Sequence, residues 1–229
     1  MATTRFRLPA SGTPLVSPAF QSYSHAMTTR HRLLLADSST LANLAVAPDA
    51  ADHLAAGDVG VRQFVSPPLK GGPVFSNGGA FKYSVQAFED NAGNNLQVQI
   101  FIAIVSYDGT SAVQTIRSKV AEGNEVNTSL RNVNFSGTFS AGHTLVQGQR
   151  IVAEFSFTGT PSASGGVQGH NGSLRFGSSG GSGDLPENDT ETGTGFNPWL
   201  ELTTDVAIEF LSEAKQFLYP QAYRRSFFY

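Results

Sequence analysis

The sequence predicts an all-β protein, an antiparallel β-sandwich of jelly-roll type with about eight strands, over residues 62–203. Three observations predict it. From Arg62 onward apolar residues recur with a period of two, the signature of strands with one face buried. Turn-forming pairs interrupt that alternation roughly every ten residues. The composition, 24 Gly and 11 Pro with only 14% charged residues in a chain of 229, suits short strands joined by many turns.

The strands follow in order. RQFVS ends at Pro67-Pro68, and Asn77-Gly78-Gly79 makes a turn into AFKYSVQAFE, with Phe81, Tyr83, Val85 and Ala87 on one face. LQVQIFIAIVS sets Leu96, Val98, Ile100, Ile102 and Ile104 against Phe101, Ala103 and Val105, so it reads as a central strand buried on both faces. Asp108-Gly109 is a hairpin turn into SAVQTIRSKV. The polar VNTSLRNVNFSGTFS suits an edge or outer-face strand, and RIVAEFSFTG aligns Ile151, Ala153, Phe155 and Phe157. SLRFG and PWLELT complete the set, with Trp199 large enough to close one part of the sandwich.

Two flanks differ from this body. Residues 1–61 read as an extended N-terminal arm, because prolines at 9, 14, 18 and 48 and many Ser and Thr prevent an independent core. Residues 204–229 read as a C-terminal extension in which Val206, Phe210, Ala214 and Phe217 have helical spacing, although AIEFL equally extends a strand. Exposed aromatics beside arginines are the residues that anchor interfaces. The candidate contact residues are therefore Phe6, Phe20 and Tyr23 in the arm and Phe217, Tyr219, Tyr223, Arg224, Arg225, Phe227, Phe228 and Tyr229 in the extension.

The formal charge of −3 provides no positive field, so neither nucleic acid nor anionic lipid is an expected direct partner. With no cysteine there is no disulfide, thiolate metal site or thiol nucleophile. The five histidines lack zinc-ligand spacing, and no nucleophile elbow, P-loop or dinucleotide fingerprint occurs. The acidic loop with Asp184, Glu187, Asp189 and Glu191 offers hard oxygen ligands but in no EF-hand register, so it reads as an exposed, solvated loop. No cofactor and no enzymatic activity are expected. The first residues lack the apolar run of a secretory signal and the longest apolar stretch is too short to span a bilayer, which points to synthesis in the cytoplasm without a membrane anchor.

TTRFRLPASGTPLVSPAF, RQFVSPPL and LRFGSSGGSGDLPENDTETGTGFNPWLEL together resemble a family of virion structural proteins of tailed bacteriophages. The last stretch is the most specific, with Arg175, Gly177, Asp184, Leu185, Pro186, Thr190, Thr192, Asn197, Pro198 and Trp199 falling on the family pattern. The resemblance covers most of residues 3–203 and implies a particle component without enzymatic activity: a capsid-decoration, minor capsid, neck or tail protein. The expected partners are other copies of the chain, in a homo-oligomer such as a trimer, and other virion proteins. The alternative is a carbohydrate- or receptor-binding adhesin module of a tail fibre, for which Tyr83 and Tyr107 are the aromatic candidates within the domain.

Overall fold

A computed structural model describes residues 1–10, 12, 14, 16, 30–35, 45–48, 57–90, 92, 95–121, 123–159, 172–178, 183–188, 190–193 and 195–211. Among these residues there are fourteen strands and no helix: β1 (Ala2–Arg7), β2 (Arg30–Arg32), β3 (Leu34–Leu35), β4 (Ala45–Pro48), β5 (Gly57–Val65), β6 (Val74–Phe75), β7 (Ala80–Glu89), β8 (Leu96–Val105), β9 (Ala112–Ala121), β10 (Arg131–Thr138), β11 (His143–Thr144), β12 (Arg150–Gly159), β13 (Gly172–Phe176) and β14 (Trp199–Thr204).

Eight of them carry the architecture. One sheet contains β1-β14-β7-β10 and the other β5-β12-β8-β9, and each interleaves early strands with late ones. That is the strand order of a jelly roll. The accessory strands extend its edges: β3 beside β1, β13 and then β4 beside the end of β7, and β2 beside β5 in the one parallel pairing among the described strands. β6 and β11 form a separate two-stranded ribbon.

The turns are the predicted ones. Gly78 and Gly109 have φ of 79° and 74°, which a side chain rarely tolerates, and Asn95 closes the turn before β8 at φ 49°. Asp108 fixes its hairpin by accepting from the Ser106 hydroxyl and from the backbone and hydroxyl of Thr110, and these bonds hold its carboxyl below the usual range.

Inward side chains fill the space between the sheets. Phe64, Phe155 and Phe176 meet edge-on with centroids 5.0–6.0 Å apart, and Tyr83 joins them at 5.4 Å from Phe155. Such packing uses both sheets at once, and β7, β12 and β13 are buried along most of their length on both faces. β8 is buried on both faces as expected: Ile100, Ile102 and Ile104 enter the main core, while Val105 joins Val65 and Val152 on the outer side, where Val16 packs against them. Among the described strands β10 pairs only with β7, the edge position its polar sequence predicts.

The flanks depart from expectation. β1, β3 and β4 come from the segment read as an arm, and β1 pairs with β14 over six residues from Ala2↔Thr204 to Arg7↔Trp199. Thr4, Phe6 and Leu8 alternate inward, a period of two that the neighbouring prolines obscured. β1 is one of the eight principal strands, and SLRFG, expected among them, is accessory. At the other flank, residues 205–211 cross one end of the sandwich without helix: Leu69 bridges Phe210, Leu211 donates to the Pro68 carbonyl, and Ile208 donates to Thr4 Oγ1. The edges of the sheets therefore do not fall at 61/62 and 203/204.

Candidate interaction surfaces

On the outer face of the β7 sheet, the described residues of the segment before β14 (183–188, 190–193 and 195–197) form a strap. A loop crossing a sheet brings backbone carbonyls that need donors. The sheet supplies them from outward side chains. Gln86 Nε2 donates to the carbonyls of Glu191 (3.1 Å) and Gly193 (3.2 Å), Asn132 Nδ2 to Pro186 (3.0 Å), Asn134 Nδ2 to Asn188 (2.7 Å), and Trp199 Nε1 to Leu185 (2.8 Å). Asn197 ties the strap to itself, its backbone and its side chain both donating to the Gly183 carbonyl at 2.9 Å.

Charge completes the clasp. Arg5 on β1 bonds Glu201 (2.8 Å) and Asp184 (3.1 Å), and its guanidinium lies 4.0 Å from the Trp199 ring centre. Arg7 reaches Asp184 at 3.3 Å, and Lys82 reaches Glu187 at the same distance. Burial works against the Arg5 charge, but bonds and charges from Glu201 and Asp184 outweigh it and hold the group above its ordinary value.

The strap corrects the expectation of an exposed acidic loop in part: Leu185 is buried and Asp184 is held by Arg5 and Arg7, whereas Glu187 is exposed beside Lys82 and Asp189 lies outside the described residues. No group of three metal-ligating side chains occurs among the described residues. Beneath the strap, Arg175 Nη1 donates to Gln86 Oε1 at 2.6 Å, while its Nε and Nη2, with Ser84 Oγ, Asn132 Oδ1 and Asn134 Oδ1, have no partner among the described residues. Burial lowers the Arg175 pKa. A second buried guanidinium, Arg62, lies on the side of β5 that carries Phe64, 4.8 Å from the Phe176 ring centre, with no partner for Nε or Nη1 among the described residues; burial pushes it down to about 10.

The second surface is an end of the sandwich. The residues following β14 meet β6 there, Asp205 donating to the Val74 carbonyl, and Lys70 pairs with Glu209. Of the described large apolar residues only four are exposed: Met1 (100%), Val146 (58%), Val206 (53%) and Val113 (43%). All four fall at this end. Met1 precedes the Ala2↔Thr204 pair, Val206 follows it, Val146 lies between β11 and β12, and Val113 is the second residue of β9 beside the Val105↔Ala112 pair. Arg150↔Val105 places the start of β12 there too.

The predicted contact residues separate. Phe6 is fully buried in its own chain, 6.1 Å from Phe210, because β1 is a core strand; it is not a contact residue. Phe20, Tyr23, Phe217, Tyr219, Tyr223, Arg224, Arg225, Phe227, Phe228 and Tyr229 lie outside the described residues. The aromatic candidates for sugar binding are also constrained. Tyr83 is buried in the core, and Tyr107 is half-buried with the Arg150 guanidinium 5.2 Å from its ring centre. Val113 and Val146 and the strap donors other than Trp199 were not singled out from sequence. Asn132 and Asn134, spaced by two on one strand, were the available signal, with Gln86 opposite Asn132 on the next.

No family model and no curated protein matches the chain. Among solved structures, it is similar to a CocE/NonD family hydrolase from Staphylococcus aureus (10% identity, 89% of this chain and 36% of that one, TM-score 0.43). It is similar to an alpha-amino acid ester hydrolase (9% identity, 87% and 36%, TM-score 0.46) and to a structure of infectious bursal disease virus, Gx strain (12% identity, 96% and 53%, TM-score 0.25). The chain spans about a third of the length of either hydrolase, 36% in both. At these scores none of the likenesses bears on what the chain does. The strand order defines the class of protein: an all-β, antiparallel sandwich of jelly-roll order.

Proposed function

We propose that this chain is a structural component of a tailed-phage virion, a capsid-decoration, minor capsid, neck or tail protein made in the host cytoplasm, and that it assembles with itself and with other virion proteins through its terminal arms, the 212–229 segment among them. The observation that carries the reading is the resemblance of RQFVSPPL and the DLPENDTETGTGFNPWLEL stretch to that family. The use of the second motif supports it. Its specific residues hold the body together: Asp184 clasps β1, Leu185 and Trp199 are buried together, and Asn197 fastens the strap. That is the work of a scaffold whose surface is free for assembly.

Incorporation into particles tests the proposal. With Tyr223, Phe227, Phe228 and Tyr229 all changed to Ser, the chain is expected to fold but to be lost from purified particles, read by quantitative mass spectrometry against the wild-type chain. Absence of the wild-type chain from particles would overturn the assignment, and undiminished incorporation of the variant would overturn the role of the segment.

A further inference from the structure

We infer that the end of the sandwich bearing Met1, Val113, Val146 and Val206 is the contact face for a second copy of this chain, whose 212–229 segment packs across it. The inference rests on the homo-oligomeric reading above and gives it a location. Three observations converge. The described surface concentrates its exposed large apolar side chains at this end, where scattered single ones would need no explanation. The 212–229 segment leaves the body from the same end, since Leu211 is bonded to the Pro68 carbonyl. Within eighteen residues that segment carries Phe217, Tyr219, Tyr223, Phe227, Phe228 and Tyr229.

Size and charge favour a second copy as occupant. Six aromatic side chains at roughly 150–250 Å² each bring about 1,000 Å² of surface, within reach of the ~1,200–2,000 Å² a specific interface buries once the end itself is added. Eighteen residues extend up to about 60 Å, enough to cross to a neighbouring body. Asp108 and Asp205 are exposed on this end, and the segment carries Arg224 and Arg225 of opposite charge. When a donor segment and its acceptor surface lie at one end of the same chain, rotation about an axis through that end satisfies every copy equally and closes the assembly.

The chain has no cysteine, so introduced thiols report unambiguously. Full-length Val206→Cys and Phe227→Cys chains, mixed under mild oxidation, are expected to give a disulfide-linked heterodimer on non-reducing electrophoresis. The doubly substituted Val206→Cys/Phe227→Cys chain is expected to give linked multimers. Sedimentation velocity is expected to show an oligomer for the wild-type chain and association weakened by at least tenfold for Val146→Asp/Val206→Asp, with an unchanged melting temperature, while Asn124→Asp at the opposite end has no effect. A monomeric wild-type chain, an oligomer unaffected by the two aspartates, or a cross-link formed only within one chain would overturn the inference. An oligomer that forms elsewhere would do so while leaving particle incorporation, and with it the proposed function, intact.

Discussion

The strapped face and the open end use opposite kinds of residue to opposite effect. On the strapped face, Asn132, Asn134, Gln86 and Trp199 spend their donors on the chain's own loop, and Arg5, Arg7 and Lys82 neutralise its acids. At the open end Met1, Val113, Val146 and Val206 are exposed among charged residues, and the chain beyond Leu211 departs beside them. The most specific sequence motif therefore marks self-association of the fold, whereas the surface left for another molecule carries no motif. A pattern that demands particular residue types at fixed spacing often encodes a precise internal fit, and an apolar contact surface tolerates many side chains.

The largest test of this difference is Trp199→Ala. It removes a buried indole and the donor for the Leu185 carbonyl, so the strap loses its centre; the expected cost is about 3–5 kcal/mol by denaturant unfolding. A cost near zero would mean that the strap does not stabilise the sheet beneath it.

Next in size is Glu89→Gln, at the end opposite the exposed valines. Burial, with Glu125 and Asp90 nearby, raises the Glu89 carboxyl from 4.5 to about 7, against a bond from the Leu96 N–H that lowers it. A carboxyl raised by folding binds more protons in the folded chain, so the stability present below pH 4.5 is lost as pH rises through 7. The substitution is expected to stabilise the protein by about 1–2 kcal/mol at pH 8 and to leave it unchanged at pH 4, measured as melting temperature across that range. An identical pH profile for both proteins would show that Glu89 ionises freely.

The smallest effect belongs to Arg5→Ala. The network is partly exposed, so its removal is expected to cost about 1 kcal/mol or less at low salt and to vanish in ~1 M salt. A larger, salt-independent loss would assign the role of Arg5 to its packing on Trp199.

Much of this was legible in the sequence. The alternation in AFKYSVQAFE, LQVQIFIAIVS and RIVAEFSFTG corresponds to β7, β8 and β12, and Asn77-Gly78 and Asp108-Gly109 form turns with left-handed glycines. What misled was local composition. Prolines and polar residues made TTRFR look like an arm, although Thr4, Phe6 and Leu8 alternate like any half-buried strand, and four acids made residues 184–191 look solvated. Of the contact residues chosen for their chemistry, Phe6 is committed to the core through pairing with a strand nearly two hundred residues away.

By itself, then, the sequence determined the class of fold, the positions of the main strands and turns, and the absence of thiol chemistry, because periodicity, turn residues and composition are local properties. The tertiary structure alone decided that β1 completes the sheet beside β14, that the acidic loop is a strap, and that the exposed apolar side chains share one end. Each of these depends on residues far apart in the chain meeting across a jelly roll. Strand order, not local propensity, sets which distant residues become neighbours.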